Sequence, residues 1–279
     1  MSNGALEVKP ISGALGAEVS GLDLSQDLDP GLVDQLKDAF HEHLVLFFRD
    51  QDISSARFLT FTGLFGDVMP YPMVQGLDDY PDIVPVLKLA HETKNFGGIW
   101  HTDTSYLEYP PMASILIARE LPPIGGDTIW SNMYLAYETL SDGMKRMLDG
   151  MTAVNSSAKG AAARSRDDRR KTAAKNDFGE TPEAVHPVVR IHPETGRKAL
   201  YVNFGHTTRF SNMTEAESAP ILNYLFEHQT RPEFTCRLTW RPATIAFWDN
   251  RATQHFPLND YHGHKRLLHR ITLAGDRPV

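Results

Sequence analysis

From Pro111 onward, short apolar or β-branched runs alternate with turn signals: Met112 to Ala118, Thr128 to Trp130, Val185 to Ile191, Ala199 to Asn203, Phe234 to Trp240, Thr244 to Trp248 and Leu267 to Leu273. Many short strands, each needing a second layer to bury its apolar face, predict a sandwich or barrel. Helical spacing intrudes at Tyr134 to Met151 and at Thr214 to His228, with Ser131-Asn132 and Ser211-Asn212 as capping candidates. Ahead of this body, Leu32, Val33, Leu36, Ala39 and Phe40 recur at helical spacing after Asp29-Pro30, Leu44 to Phe48 reads as a buried strand, and a second helix starts near Ser54-Ser55. The predicted class is mainly β with flanking helices.

Composition narrows the setting. At 279 residues and 41% hydrophobic, residues 1–279 can bury one large core as a single domain. A formal net charge of −7 argues against nucleic acid, whose binders cluster Lys and Arg against phosphates. Cys236 is the only cysteine, which removes disulfide and thiolate-cluster chemistry and fits a reducing, cytoplasmic setting. The start of the chain shows no secretory pattern, and the apolar runs stop far short of a membrane span. Residues 157–181, rich in Ala, Arg and Lys with few large apolar side chains, read as a loop or lid, or else as a solvated helix face.

Chemistry concentrates in two places. His101-Thr102-Asp103 sets an imidazole and a carboxylate two residues apart, on one side of an extended segment. With 12 His and 35 acidic residues such pairs arise by chance, and the second one, His192-Pro193-Glu194, sits where Pro and the following Thr195-Gly196 favour a turn. A hydrogen-bonded His101 with no ligand role is the plain alternative. Far downstream, Phe247-Trp248-Asp249-Asn250-Arg251-Ala252-Thr253-Gln254-His255 reads as a strand ending in a polar turn that delivers an imidazole. His262 and His264 compete for the same role from a loop-like stretch. Two imidazoles and one carboxylate suit a divalent iron that keeps three coordination positions open.

Arg266 and Arg270 are four apart in a strand-like run, so both guanidinium groups face the same way. Two buried cations need anions. These come either from the protein, with Asp127 and Asp249 as candidates, or from bound ligands. Gly125-Gly126-Asp127-Thr128 reads as a tight turn and lacks the spacing of a phosphate loop. Thr128 could offer its hydroxyl to a carboxylate.

Together, Trp100-His101-Thr102-Asp103, Gly125-Gly126-Asp127-Thr128, Trp248-Asp249-Asn250-Arg251 with Thr253-Gln254-His255, and Arg266 to Arg270 resemble the taurine dioxygenase/2,4-dichlorophenoxyacetate dioxygenase family of Fe(II)- and 2-oxoglutarate-dependent oxygenases. The resemblance runs from Leu15-Gly16 to Gly275-Asp276. It implies a double-stranded β-helix, or jelly roll, with the metal at its mouth and with Fe(II), 2-oxoglutarate and O₂ as cofactor and co-substrates. It assigns His101, Asp103 and His255 to iron, Thr128 and Arg266 to the distal carboxylate of 2-oxoglutarate, and Arg270 to a substrate anion. The implied reaction hydroxylates, and can thereby cleave, a small organic anion such as a sulfonate, sulfate ester or carboxylate, releasing succinate and CO₂. Family members associate as dimers or dimers of dimers, so a homo-oligomer is implied.

The match departs from taurine-specific relatives at two places. Where those carry a His after the Phe-Gly-Asp turn and an amide just before Trp-His-Thr-Asp, this chain has Met69-Pro70-Tyr71-Pro72 and Asn95-Phe96-Gly97-Gly98. Taurine is therefore disfavoured. Gly97 removes side-chain volume beside the metal, and Met69, Tyr71 and Met73 line a more apolar cleft for a larger anion. The alternative from another class is a zinc hydrolase or isomerase on a similar barrel, with metal-activated water at the same three ligands. It leaves Arg266 and Thr128 without a task.

Overall fold

The computed structural model describes residues 6–72, 74–159 and 181–279. Strands β1 (Glu7–Pro10) and β2 (Ala17–Ser20) form a hairpin, and α1 (Pro30–His43) leads into β3 (Val45–Phe48). Next come α2 (Ser55–Gly63), β4 (Val84–Lys88), β5 (Ala113–Glu120), β6 (Thr128–Asn132), α3 (Met133–Glu138), α4 (Asp142–Leu148) and β7 (Thr152–Ser156). After the break follow β8 (Glu183–Pro187), β9 (Val189–Ile191), β10 (Lys198–Leu200), β11 (Thr207–Phe210) and α5 (Glu215–His228). The last four strands are β12 (Thr235–Leu238), β13 (Ile245–Asp249), β14 (Thr253–Pro257) and β15 (Arg266–Leu273).

A seven-stranded sheet, ordered β1-β2-β3-β13-β5-β15-β4, faces a three-stranded sheet ordered β12-β6-β14, with β11-β7-β8 and the β9–β10 pair beside them. All pairings are antiparallel except β2 with β3. Two facing antiparallel sheets with flanking helices make the jelly roll.

Period-two alternation in the central strands sorts their side chains into two cores. Ile115 and Ile117 of β5, Ile245 and Phe247 of β13, and Ile271 and Leu273 of β15 join Phe40, Phe58 and Phe61 beneath α1 and α2. The intervening Leu116, Ala118, Ala246, Trp248 and Leu268 face the second sheet. There the Trp130 ring of β6 lies 5.4 Å from Phe47 and 5.8 Å from Trp248, tying sheet to sheet. Burying each indole stabilises the fold by about 4–6 kcal/mol, from roughly 150–250 Å² of apolar surface at about 25 cal/mol per Å². On β15 the same alternation points Arg266 and Arg270 inward beside Leu268.

Local chemistry explains where the elements differ from the sequence prediction. The stretch Tyr134 to Met151 is two helices, because Ser141 starts a new one by accepting from the Met144 N–H. Helix α5 is capped by Thr214, not Ser211-Asn212; Thr214 and Glu217 satisfy each other's backbone N–H in a capping box. The run Val185 to Ile191 divides between β8 and β9, which belong to different sheets. Most of the stretch read as a lid, 160–180, lies outside the described residues. Among the described residues no helix is long and apolar enough to cross a membrane.

Candidate active site

His101 and His255 meet because their backbones pair. The His101 N–H donates to the His255 carbonyl at 3.1 Å, and the His255 N–H donates back at 2.9 Å, forming an isolated antiparallel bridge at the mouth between the sheets. Their rings lie 4.2 Å apart. The extended segment expected through Asp103 is only this bridge, for the chain turns at Asp103 to Tyr106 with Thr104 at a φ of 42°. Even so, Asp103 Oδ1 lies 3.5 Å from His101 Nε2 and 3.9 Å from His255 Nε2. The donor atoms of His101, Asp103 and His255 all fall within 4.8 Å of one another, and all three residues are buried. His262 and His264 are exposed and take no part.

The surroundings fix which atoms face the centre. His101 Nδ1 sits 2.7 Å from the Ile99 carbonyl and donates to it, which leaves Nε2 with its lone pair free. Two glycines make room for the His101 side chain. A Cβ on Gly97, whose φ is +70°, would stand 2.9 Å from His101 Cε1, and one on Gly205 would stand 2.8 Å from His101 Cβ. Burial, reinforced by His101, keeps His255 well below the ordinary histidine range, so its imidazole is neutral and able to ligate at neutral pH. Burial opposes ionisation of Asp103, but its neighbours, the Arg270 guanidinium foremost, outweigh it and hold the carboxyl well below the usual range.

The turn that delivers His255 is wired by Asp249. Its Oδ1 accepts from the Arg251 N–H at 2.8 Å and Nε at 2.9 Å; its Oδ2 accepts from Arg251 Nη2 at 2.7 Å and His192 Nε2 at 3.0 Å. Arg251 Nη1 reaches Glu194 at 2.6 Å, so His192-Pro193-Glu194 forms the expected turn and also braces this one. Asp249 thus serves Arg251 and not the β15 arginines. Replacing Asp249 by alanine leaves a buried Arg251 with Glu194 alone for a counter-charge, at a cost of about 3 kcal/mol. The midpoint of thermal unfolding should fall on the order of 10 °C. Burial works against the Asp249 charge, yet Arg251 and His192 hold its pKa below the usual range. Its contribution is therefore present above the unfolded carboxylate pKa and lost only as acid titrates the folded group, so the wild-type advantage should vanish in strong acid.

A cavity opens beside the triad and includes His101, His255, Thr128, Trp240, Arg266 and Arg270 in its lining. Arg266 is 5% exposed, and its Nε and Nη2 have no hydrogen-bond partner among the described residues. Asp127, the other suggested partner, instead accepts from Arg237 Nε at 2.7 Å and Thr239 Oγ1 at 2.9 Å. Gly126, at a φ of +74°, makes room for the arginine, since a Cβ there would stand 3.1 Å from Arg266 Cδ and Nε. Thr128 Oγ1 accepts from Trp240 Nε1–H at 3.0 Å, which leaves the threonine proton to donate elsewhere.

Arg270 differs from Arg266. Its Nη2 donates to Asp103 Oδ2 at 2.9 Å and to Ser114 Oγ at 3.0 Å, and Tyr71 stacks on the guanidinium at 4.3 Å. Its Nε has no hydrogen-bond partner among the described residues. Arg270, Phe96 and Val86 connect the first cavity to a second, bounded also by Tyr71, Val84 and Leu87. Met69 is half-buried and bonded through its backbone to Thr272, while Met73 lies outside the described residues.

The family model for the taurine catabolism dioxygenase TauD, TfdA family matches residues 7–272. The chain belongs to this family. It is 37% identical to an alkylsulfatase of Acinetobacter baylyi, across 97% of this chain and 86% of that protein. It is 36% identical to an alpha-ketoglutarate-dependent sulfate ester dioxygenase of Pseudomonas putida, across 98% and 91%. The crystal structure of a taurine dioxygenase from Burkholderia xenovorans superposes with a TM-score of 0.83 at 37% identity, covering 99% of this chain and 93% of that one. This TauD, TfdA family member is a 2-oxoglutarate-dependent dioxygenase that uses Fe(II) and O₂, and the zinc alternative is left without support. The donor set fits the metal: two imidazoles and one carboxylate, clustered at a cavity mouth.

Sequence reasoning missed Ser114, Trp240, Gly126 and Gly205. Only the glycines left a local trace, in the Gly125-Gly126 turn and in Phe204-Gly205-His206. Ser114 and Trp240 sit within apolar runs and acquire roles only through partners distant in sequence.

Proposed function

We propose that His101 Nε2, Asp103 Oδ1 and His255 Nε2 hold the Fe(II), and that Arg266 and Thr128 take the distal carboxylate of 2-oxoglutarate. Arg270 then faces the anionic group of a sulfate ester or sulfonate whose apolar body lies against Tyr71, Phe96 and Gly97. The observation that carries this reading is the buried Arg266, with two N–H groups lacking partners in the cavity that His101 and His255 line. A carboxylate completes that arginine with two charge-assisted hydrogen bonds. The relatives named for sulfate esters support the substrate class, as does the mainly apolar lining beside Arg270. Residues 1–279 are read as one catalytic domain.

The bound metal, with 2-oxoglutarate and O₂, supplies oxidative hydroxylation of a C–H bond coupled to release of succinate and CO₂. The protein's own residues decide which bond is offered. Arg270 offers the anion the donors that Asp103 and Ser114 leave open, Nε among them, and Tyr71 packs against the guanidinium face. Gly97 leaves the space beside His101 free of side chain. When the carbon offered bears the sulfate oxygen, its hydroxylated form collapses to an aldehyde and free sulfate.

Anaerobic addition of Fe(II) and 2-oxoglutarate should give a visible charge-transfer band. In air, succinate should then accumulate with apolar alkyl sulfates or sulfonates and hardly at all with taurine. Turnover of taurine alone would overturn the substrate proposal. Arg270→Ala should weaken the organic anion most and, because of the Asp103 ion pair, weaken the metal as well. A change confined to the 2-oxoglutarate requirement would exchange the roles of the two arginines. Light scattering tests the accompanying proposal that the protein is a dimer or a dimer of dimers.

A further inference from the structure

Ser114 is a hydroxyl where the alternation of β5 calls for an apolar side chain. It faces the inner core with Leu116 and Ala118, is fully buried, and lies in register with Trp248 on one side and Thr272 on the other. Its oxygen makes three hydrogen bonds: it donates to Asp103 Oδ2 at 2.7 Å and accepts from Asn250 Nδ2 at 3.1 Å and Arg270 Nη2 at 3.0 Å. The directions are forced. A guanidinium and an amide nitrogen can only donate, and a hydroxyl has one proton, so that proton goes to the remaining partner, the carboxylate. The amide of Asn250 is set in turn, because the Trp248 indole N–H, a donor only, points at Asn250 Oδ1 at 2.9 Å. A one-way chain therefore runs from Trp248 through Asn250 and Ser114 to Asp103.

The consequence falls on Asp103. Its Oδ2 receives two donors, one of them charged, whereas Oδ1 is the oxygen near both His101 Nε2 and His255 Nε2. A carboxylate pinned this way presents one oxygen to a metal. Swinging Oδ2 inward would break both the serine and the arginine bonds and would use a coordination position that 2-oxoglutarate or O₂ requires.

We infer that Ser114 is a positioning residue that, backed by Asn250 and together with Arg270, holds Asp103 as a single-oxygen ligand. This rests on the reading of His101, Asp103 and His255 as the iron site. Arg270 alone does not fix the carboxylate, since it must also serve a ligand anion; Ser114 lines neither of the two cavities beside the triad.

The test is metal binding by the intact protein, read without turnover. Co(II) affinity and the visible ligand-field spectrum are measured for the wild type, Ser114→Ala, Asn250→Ala and His255→Ala, with thermal unfolding as the check of folding. Ser114→Ala should bind Co(II) about 10- to 100-fold more weakly, the range for outer partners of a metal ligand. Its spectrum should also lose intensity as Asp103 closes onto the metal with both oxygens and raises the coordination number. Asn250→Ala leaves the hydroxyl but lets its proton turn away, so the loss has the same sign and is smaller. That variant carries the test if Ser114→Ala does not fold. Wild-type affinity and spectrum in either folded variant overturn the inference. If His255→Ala also binds Co(II) like the wild type, it is the iron-site reading that fails, so the two failures are distinguishable.

Discussion

Replacing His255 by alanine removes iron binding and 2-oxoglutarate-dependent turnover together, whereas His262→Ala and His264→Ala leave both intact. The three histidines lie within ten positions of one another and are equivalent in type, but only His255 is held in place. Its backbone pairs with His101, its ring lies 4.9 Å from Trp248, and it is buried. The other two are exposed on the turn before β15. The size of the effect follows from what a ligand does. Outer partners of a metal ligand are each worth roughly 10- to 100-fold in affinity or activity, so deleting a ligand should exceed about 100-fold. Metal competition titration and succinate release measure the two losses separately. Stability should change little beyond the lost packing, because His255 Nδ1 has no hydrogen-bond partner among the described residues to strand. Retention of iron by His255→Ala, with loss in His262→Ala or His264→Ala, would move the ligand to the loop.

How much of this was legible in sequence depends on how far apart the cooperating residues are. The central strands β5, β13 and β15 announce themselves because they alternate between two buried layers and carry long apolar side chains. The strands β1, β2, β4, β7, β11 and β14 do not. They are short, and β7, β11 and β14 carry polar side chains on both faces, so their identity comes from the partner strand and not from local preference. The metal residues could be picked out as types in a pattern, yet the reason His101 meets His255 is a backbone bridge across the mouth of the roll, which no local periodicity encodes. The same limit applies to Arg270. Its even spacing from Arg266 gave the correct face, but not that one arginine is engaged by Asp103 and Ser114 while the other is left open. Asp127 and Asp249 were reasonable anions for that face by sequence; both are taken by other arginines because Arg237 on β12 and Arg251 in the β13–β14 turn are nearer.

Arg266→Leu should raise the 2-oxoglutarate requirement by roughly 30-fold or more while leaving metal affinity close to wild type. Burial has already lowered the pKa of this guanidinium from its ordinary value, a sign that its charge is costly where it sits. The flanking rings of Trp240 and Tyr261, at 5.7 and 5.8 Å, offset only part of that cost. A carboxylate arriving at Nε and Nη2 supplies the missing anion, and truncating one partner of such a buried pair costs about 2–5 kcal/mol. At about 1.4 kcal/mol per decade that is on the order of 30- to several-thousand-fold in the apparent affinity for 2-oxoglutarate. Leucine fills much of the space and buries well, so the apo protein should be no less stable than wild type, as expected when an uncompensated buried charge is removed. Arg266→Lys should fall between the two, because an ammonium keeps the charge but not the paired donors. Titrating 2-oxoglutarate against succinate formation gives the requirement, and Co(II) binding gives the control. An unchanged requirement for 2-oxoglutarate in Arg266→Leu would mean that the co-substrate's distal carboxylate lies elsewhere, with Arg270 the next guanidinium in the same cavity.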